Sequence, residues 1–302
     1  MRQAFTGCGT ALVTPFTRSG ALDETGVRRL ARRQIEAGIH FLVPCGTTGE
    51  TPTLTSDERL RVVEIVVAEA KDKVPVLAGA GGYNTHEVIE TAQQMARAGA
   101  DGILSVAPYY NKPTPEGLYQ HYKAIAEAVP LPVIVYNVPG RTGVNVDVAT
   151  LVRLSAVPNI VGVKEASGNM TQMCEICGAV PDDFLVLSGD DALTLPVMSV
   201  GGHGIVSVAS NEVPGEMAKM VELAEAGDFT GARRLYRELL PLMQINFIES
   251  SPIPVKTAMA MMGLVEEVFR LPLVPPSAAA RERITQVLRD LGFPIGPATL
   301  RA

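Results

Sequence analysis

Residues 160–166, Ile160-Val161-Gly162-Val163-Lys164-Glu165-Ala166, set a lysine inside an otherwise apolar, β-branched run. Runs of this kind recur every 20–33 residues on both sides of it: ALVTPF (11–16), FLVPC (41–45), VPVLAGAG (74–81), GILSVAP (102–108), PVIVYNV (132–138), FLVLSGD (184–190) and GIVSVAS (204–210). They are nearly continuous rather than alternating, as expected of strands buried on both faces of a parallel sheet. Helical patterns separate them and carry their own start and stop signals. Thr55-Ser56-Asp57-Glu58 has the form of a capping box, Asn84 precedes a helical pattern with Glu87 three residues on, and Thr114-Pro115 sets a cap before a proline. Gly38, Gly99 and Gly227 stand where three helices end. Eight strand–helix units in succession predict an α/β fold, a closed (β/α)8 TIM barrel. An open doubly wound sheet is the competing architecture, but no G-x-G-x-x-G follows the first strand.

Beyond residue 228 the alternation stops. The stretches 229–247, 252–264 and 276–292 read as three helices separated by prolines. The expected organisation is a barrel over 1–228 and a C-terminal three-helix appendage over 229–302 that contributes packing or subunit contacts. The length of 302 residues fits that plan, since such barrels take ~250 residues.

Composition narrows the chemistry. With 32 Asp+Glu against 26 Lys+Arg the net charge is −6, which argues against nucleic-acid or anionic-membrane partners. No apolar run reaches the ~18 residues of a membrane span. The N-terminus MRQAFTGCGTALVTPF lacks the apolar core of a signal peptide, so the expected compartment is the cytoplasm. The four histidines are scattered, and Cys174 and Cys177 form a C-x-x-C with no second pair. Those two cysteines read as small core residues of a helix, and no metal is expected. Lysine, tyrosine, threonine and arginine remain as carriers of chemistry.

In such a barrel, function sits at the C-terminal ends of the strands. Lys164 has two readings. Burial disfavours a charged ammonium, and a neutral amine attacks a ketone to form a Schiff base; or the lysine reaches solvent or pairs with Glu165. Tyr136, at the end of the preceding strand, either passes protons to a carbinolamine across the barrel mouth or is a core tyrosine. Thr47-Thr48-Gly49 supplies hydroxyls and closely spaced N–H groups suited to a carboxylate, or is an ordinary strand-to-helix turn. Arg141 binds a carboxylate bidentately or is a solvated arginine. Tyr109-Tyr110 reads as a stacked loop pair. Lys256 opens a tail helix, where a snorkelling stem is expected.

Taken together these segments resemble the dihydrodipicolinate synthase / N-acetylneuraminate lyase family of class I aldolases. The resemblance runs from Gly9-Thr10-Ala11-Leu12-Val13-Thr14-Pro15-Phe16 to Pro252-Ile253-Pro254-Val255-Lys256 and Arg270-Leu271-Pro272-Leu273. Gly46-Thr47-Thr48-Gly49-Glu50 and the arginine of Tyr136-Asn137-Val138-Pro139-Gly140-Arg141-Thr142 resemble the synthase branch rather than the sugar-acid lyases. The resemblance implies that Lys164 forms a Schiff base with pyruvate, without a separate cofactor. It implies that Tyr136, Thr48 and Tyr110 relay protons, Tyr110 reaching into a neighbouring subunit, and that Thr47 and Thr48 hold the pyruvate carboxylate. Arg141 would bind the carboxylate of L-aspartate 4-semialdehyde, and Gly189 and Val206 would line the pyruvate pocket. The implied product is 4-hydroxy-tetrahydrodipicolinate, on the diaminopimelate route to lysine, and the implied assembly is a homotetramer built as a dimer of dimers.

Ser56, Arg59 and Tyr83 depart from the pattern of lysine-inhibited members, while Glu87 and Tyr109 match it; weak or absent feedback inhibition is expected. Two other functions compete: a family lyase releasing pyruvate from a hydroxy-keto acid or sugar acid, and a catalytically dead barrel with a binding role. Arg141 favours a short carboxylated aldehyde over a polyol, and the intact residue set disfavours the dead barrel.

Overall fold

The computed structural model describes residues 2–295. In chain order the elements are β1 (Gly7–Ala11), α1 (Glu24–Glu36), β2 (Phe41–Val43), α2 (Ser56–Ala70), β3 (Leu77–Gly79), α3 (Thr85–Arg97), β4 (Gly102–Val106), α4 (Pro115–Ala128), β5 (Val133–Asn137), α5 (Pro139–Thr142), α6 (Val148–Ser155), β6 (Ile160–Glu165), α7 (Met170–Ala179), β7 (Leu185–Ser188), α8 (Thr194–Ser199), β8 (Gly204–Ser207), α9 (Pro214–Glu225), α10 (Phe229–Ile245), α11 (Ile253–Met261) and α12 (Ala278–Asp290). The eight strands pair in parallel in the order β2-β1-β8-β7-β6-β5-β4-β3, and a parallel bridge between Leu42 and Val76 joins the two ends of that series. The sheet is therefore closed into a (β/α)8 barrel, and the doubly wound alternative is excluded.

The first strand lies upstream of the 11–16 stretch, at Gly7-Cys8-Gly9-Thr10-Ala11. Its small residues have little β-propensity of their own, but pairing with both β2 and β8 imposes the conformation. Packing also selects glycine there. A Cβ on Gly9 would lie 2.1 Å from the ring of Phe41, which meets Phe5 edge-on inside the barrel. The expected caps are present. Thr55 and Glu58 form a reciprocal capping box, and Asn84 and Thr114 each accept a backbone N–H of the helix they precede.

Two apolar layers follow from the strand alternation. Inside the barrel lie Phe41, Val43, Leu77, Leu104, Ile134, Leu187 and Val206. The opposite strand faces join the helices in a larger outer core. The pair β5–β6 breaks the alternation once: Val133 faces Ile160 but Ile134 faces Gly162, so β6 carries one extra residue. Val161 accordingly points into the barrel and Val163, two residues on, into the outer core. A bulge of this kind re-aims the residues after it. It turns Lys164 inward and Glu165 outward.

Of the two cysteines expected in the core, Cys174 lies outside it and Cys177 packs at its edge. Cys174 is exposed and Cys177 partly so, because α7 buries the stripe Gln172, Met173 and Ile176 and the cysteines flank it. Among the described residues no group of three or more His, Cys, Asp or Glu is placed to hold a metal, and no helix is long and apolar enough to cross a membrane.

The tail helices share the outer core with the barrel through Leu239, Leu242, Ala258, Ile284 and Leu288. Helix α11 adds a separate cluster in which Val255 and Met259 pack with Val13, Leu30 and Val208. Lys256, expected to snorkel, is instead fully buried and ion-paired with Glu50. The rings of Phe16 and Phe269 lie 4.4 and 5.2 Å from its Nζ, and the side chain has no exposure to water. A second tie joins Arg270 to the start of α2. Its guanidinium donates to both oxygens of Glu58 at 2.7 Å and to the Thr53 carbonyl at 3.0 Å.

The Arg270 hydrogen bonds draw the Glu58 carboxyl down to about 2 from an ordinary 4.5. Its folded value lies below its unfolded one, so this tie stabilises fully above about pH 4.5 and weakens as pH falls toward 2. Glu58→Gln should cost on the order of 1 kcal/mol at pH 7, and the gap from wild type should narrow progressively below pH 4.5. Urea unfolding of both proteins at pH 7, 4 and 3 measures it; a gap unchanged across that range counts against the tie.

Candidate active site

Lys164 projects from β6 into the barrel between Tyr136 and Leu187, its register partners on β5 and β7. It is 6% exposed, and its Nζ lies 4.1 Å from the centroid of the Tyr136 ring. Tyr136 is thus its neighbour in the sheet rather than a residue across the mouth. Glu165 is not its partner. It faces outward, fully buried, where it accepts from Asn137 Nδ2 at 2.8 Å, Gln172 Nε2 at 3.2 Å and the Ser167 N–H at 2.7 Å. Among the described residues no carboxylate lies within ion-pair distance of Lys164. Gly189 leaves room for the lysine stem: a Cβ there would stand 2.9 Å from Lys164 Cε and 2.6 Å from Ala166 Cβ.

The turn after β2 is a single 3-10 turn, Thr47–Gly49, with Thr48 buried. Cys45 and Glu50, which bracket it, both have positive φ, 57° and 52°, a region that non-glycine residues occupy only under constraint. Thr14 Oγ1 donates to the Gly49 carbonyl at 2.7 Å and Thr51 Oγ1 to the Gly46 carbonyl at 2.8 Å, which holds the turn from both ends. The leading N–H groups of such a turn have no acceptor within it.

A cavity of about 260 Å³ opens at this end of the barrel, with Thr47, Tyr136, Arg141, Arg59 and Tyr109 on its wall. Three of the sequence-predicted residues, Thr47, Tyr136 and Arg141, therefore share one space, and Lys164 lies against the Tyr136 ring beneath it. Arg141 sits on α5, exposed, and donates to the Ser251 carbonyl of the tail at 3.2 Å. Val206 is buried inside the barrel and is not on the cavity wall. Tyr110 also stands apart. It is 89% exposed with φ 70°, beside an edge-on pair of Tyr109 and Tyr83 whose ring centroids are 5.2 Å apart. The expected Tyr109–Tyr110 stack is not formed; Tyr109 meets Tyr83 edge-on instead.

Four groups take roles that the sequence did not assign them, although Glu50 stood in a quoted motif and Arg59 was noted as a departure from lysine-inhibited members. Glu50 anchors the Thr47–Gly49 turn to the tail. The Ser251 carbonyl holds Arg141. Arg59 puts a buried Nε without a hydrogen-bond partner at the cavity. Asp191 accepts from Ser207 Oγ at 2.5 Å and from the N–H groups of Val208 and Ala209, which ties the β7 and β8 ends together. Burial pushes its carboxyl up against those hydrogen bonds. Only Asp191 carried a local signal, an acidic pair after a strand-end Ser-Gly.

The Dihydrodipicolinate synthetase family model matches residues 4–291. The 4-hydroxy-tetrahydrodipicolinate synthase of Koribacter versatilis is 53% identical over 95% of this chain and 96% of its own length. That of Chloroherpeton thalassium is 51% identical over 99% of both. Among solved structures, dihydrodipicolinate synthase from Aquifex aeolicus superposes with a TM-score of 0.94 at 43% identity, covering 96% of this chain and 99% of that one.

Gly189→Ala should crowd the lysine stem. Overpacking of this kind costs about 1–3 kcal/mol, and the amine should lose reactivity toward carbonyl compounds more than the fold loses stability. Thermal melting together with borohydride trapping checks this; full trapping in the variant would contradict it.

Proposed function

The chain belongs to the dihydrodipicolinate synthetase family, and we propose that it condenses pyruvate with L-aspartate 4-semialdehyde to 4-hydroxy-tetrahydrodipicolinate, a lyase step in lysine biosynthesis by the diaminopimelate route. The observation that carries the reading is a buried lysine without a carboxylate partner, set against a tyrosine ring below a cavity that holds an arginine. In this reading the Lys164 amine adds to the pyruvate carbonyl carbon, and loss of water leaves an iminium. The iminium acidifies the adjacent methyl group, so proton loss gives an enamine without a metal or separate cofactor. The enamine carbon attacks the aldehyde of the semialdehyde. The semialdehyde amine then closes the ring onto the iminium carbon and releases Lys164.

Tyr136 and Thr48 move the protons of carbinolamine formation and breakdown. Thr47 and Thr48 hold the pyruvate carboxylate at the start of their turn, while Gly189 and Val206 shape the space around it. Arg141, fixed by Ser251, takes the semialdehyde carboxylate. The catalytic unit is the barrel, residues 1–228, with the helical domain from 229 onward covering it.

Tyr110 completes the relay from a neighbouring subunit of a homotetramer, a dimer of dimers. Its exposure beside Tyr83 and Tyr109 supports this, since exposed aromatic groups mark contact surfaces. A biosynthetic step on two small metabolites belongs in the cytoplasm, and the enzyme is placed there. At the cleft near Tyr109, Arg59 would repel the ammonium groups of lysine, so feedback inhibition is weak or absent.

Three outcomes follow. Borohydride with pyruvate should fix an adduct on Lys164 by mass spectrometry, and Lys164→Arg should abolish it; an adduct elsewhere removes the mechanism. Arg141→Ala should raise KM for the semialdehyde by about 10²-fold or more, with a far smaller effect on pyruvate, and turnover with a sugar aldehyde exceeding that with semialdehyde would move the function to a sugar-acid lyase. Lysine should leave the rate unchanged at sub-millimolar concentration.

A further inference from the structure

We propose that the buried Glu50–Lys256 ion pair is a positioning device through which the helical tail sets the geometry of the Thr47–Gly49 turn and hence the affinity for pyruvate; the inference rests on the functional reading above. Both side chains are fully buried. A buried ion pair recovers its desolvation cost only with further hydrogen bonds, and a well-packed apolar pair often serves stability as well or better. Here the extra contacts are built in. Lys256 Nζ also donates to the Val268 carbonyl at 2.8 Å and lies 4.4 Å from the Phe16 ring centroid, and the Arg270 N–H approaches the other Glu50 oxygen at 3.5 Å.

The placement of the pair points to the turn. Glu50 follows Gly49 directly, in a left-handed conformation that its local sequence does not favour. Its N–H donates to the Thr47 carbonyl at 3.1 Å, and its carbonyl accepts from Thr53 Oγ1 at 3.0 Å. A shift of its side chain is therefore passed to the two threonines that hold the substrate carboxylate. The cationic partner stands one turn beyond Ser251, whose carbonyl fixes Arg141. One tail segment thus reaches both substrate-binding rims, by a charge on the pyruvate side and by a backbone carbonyl on the semialdehyde side.

Glu50→Gln combined with Lys256→Met removes both charges and leaves no unpaired ion. The full-length double variant should melt within a few degrees of wild type. Its KM for pyruvate should rise about tenfold or more, while kcat and the semialdehyde KM stay within about threefold. The borohydride adduct on Lys164 should still form at saturating pyruvate. A folded double variant with unchanged pyruvate KM overturns the inference, and so does one in which both KM values rise together, which is the mark of a general structural tie. If the double variant does not fold, the same readings on Glu50→Asp, which keeps the charge but draws it back by one methylene, decide between the same outcomes. Failure of wild-type Lys164 to form any adduct removes the functional reading and this inference with it; an adduct in both proteins with equal pyruvate KM removes the inference alone.

Discussion

A primary amine held inside an apolar barrel, against an aromatic face and with no carboxylate of the described residues within ion-pair distance, is the constraint on which the site is organised. Lysine is among the residues least often buried without a partner. The chain meets that cost by local geometry rather than by a counter-ion. One extra residue in β6 turns Lys164 inward and sends its acidic neighbour Glu165 to the other face, where Asn137, Gln172 and a backbone N–H occupy the carboxylate. Without the bulge, the register would pair Val163 with Tyr136 and carry Lys164 to the outward position opposite Asn137. Gly189 then yields the volume that the lysine stem needs.

The same end of the barrel carries most of the buried charge. Glu50 pairs with Lys256, Asp191 bridges the β7 and β8 ends, and Glu212 accepts from Asn246 Nδ2 at 2.6 Å while Arg33 caps the Asn211 and Glu212 carbonyls. Burial drives the Glu212 carboxyl well above its ordinary range, the Asn246 hydrogen bond opposing it. Groups of this kind fix conformation more than they stabilise it. They are borne by two apolar layers, the barrel interior and the sheet–helix core, which enclose the strands on both faces. The helical tail is part of this arrangement, since its ion pairs and the Ser251 carbonyl fasten the loops that carry the site.

Much of the barrel was legible because its signals are local. Seven of the apolar runs contain the whole of the strand they predict, and caps such as Thr55–Glu58 and Asn84 act within one turn of where they are read. The first strand was displaced because Gly7-Cys8-Gly9 owes its extended form to its neighbours. Cys174 and Lys256 depart from expectation for one reason: helical spacing gives the stripe a residue belongs to, but not which neighbour covers it.

The sequence by itself determined the order and kind of the elements, the lysine on a central strand, and the threonine, tyrosine and arginine at strand ends, because periodicity and strand position are properties of consecutive residues. Only the tertiary structure decided that Lys164 faces inward against the Tyr136 ring with no carboxylate of the described residues as partner, that Glu165 does not pair with it, and that Lys256 is buried on Glu50. Those outcomes turn on a one-residue register shift between strands and on a contact spanning 206 positions, neither of which any local stretch of chain encodes.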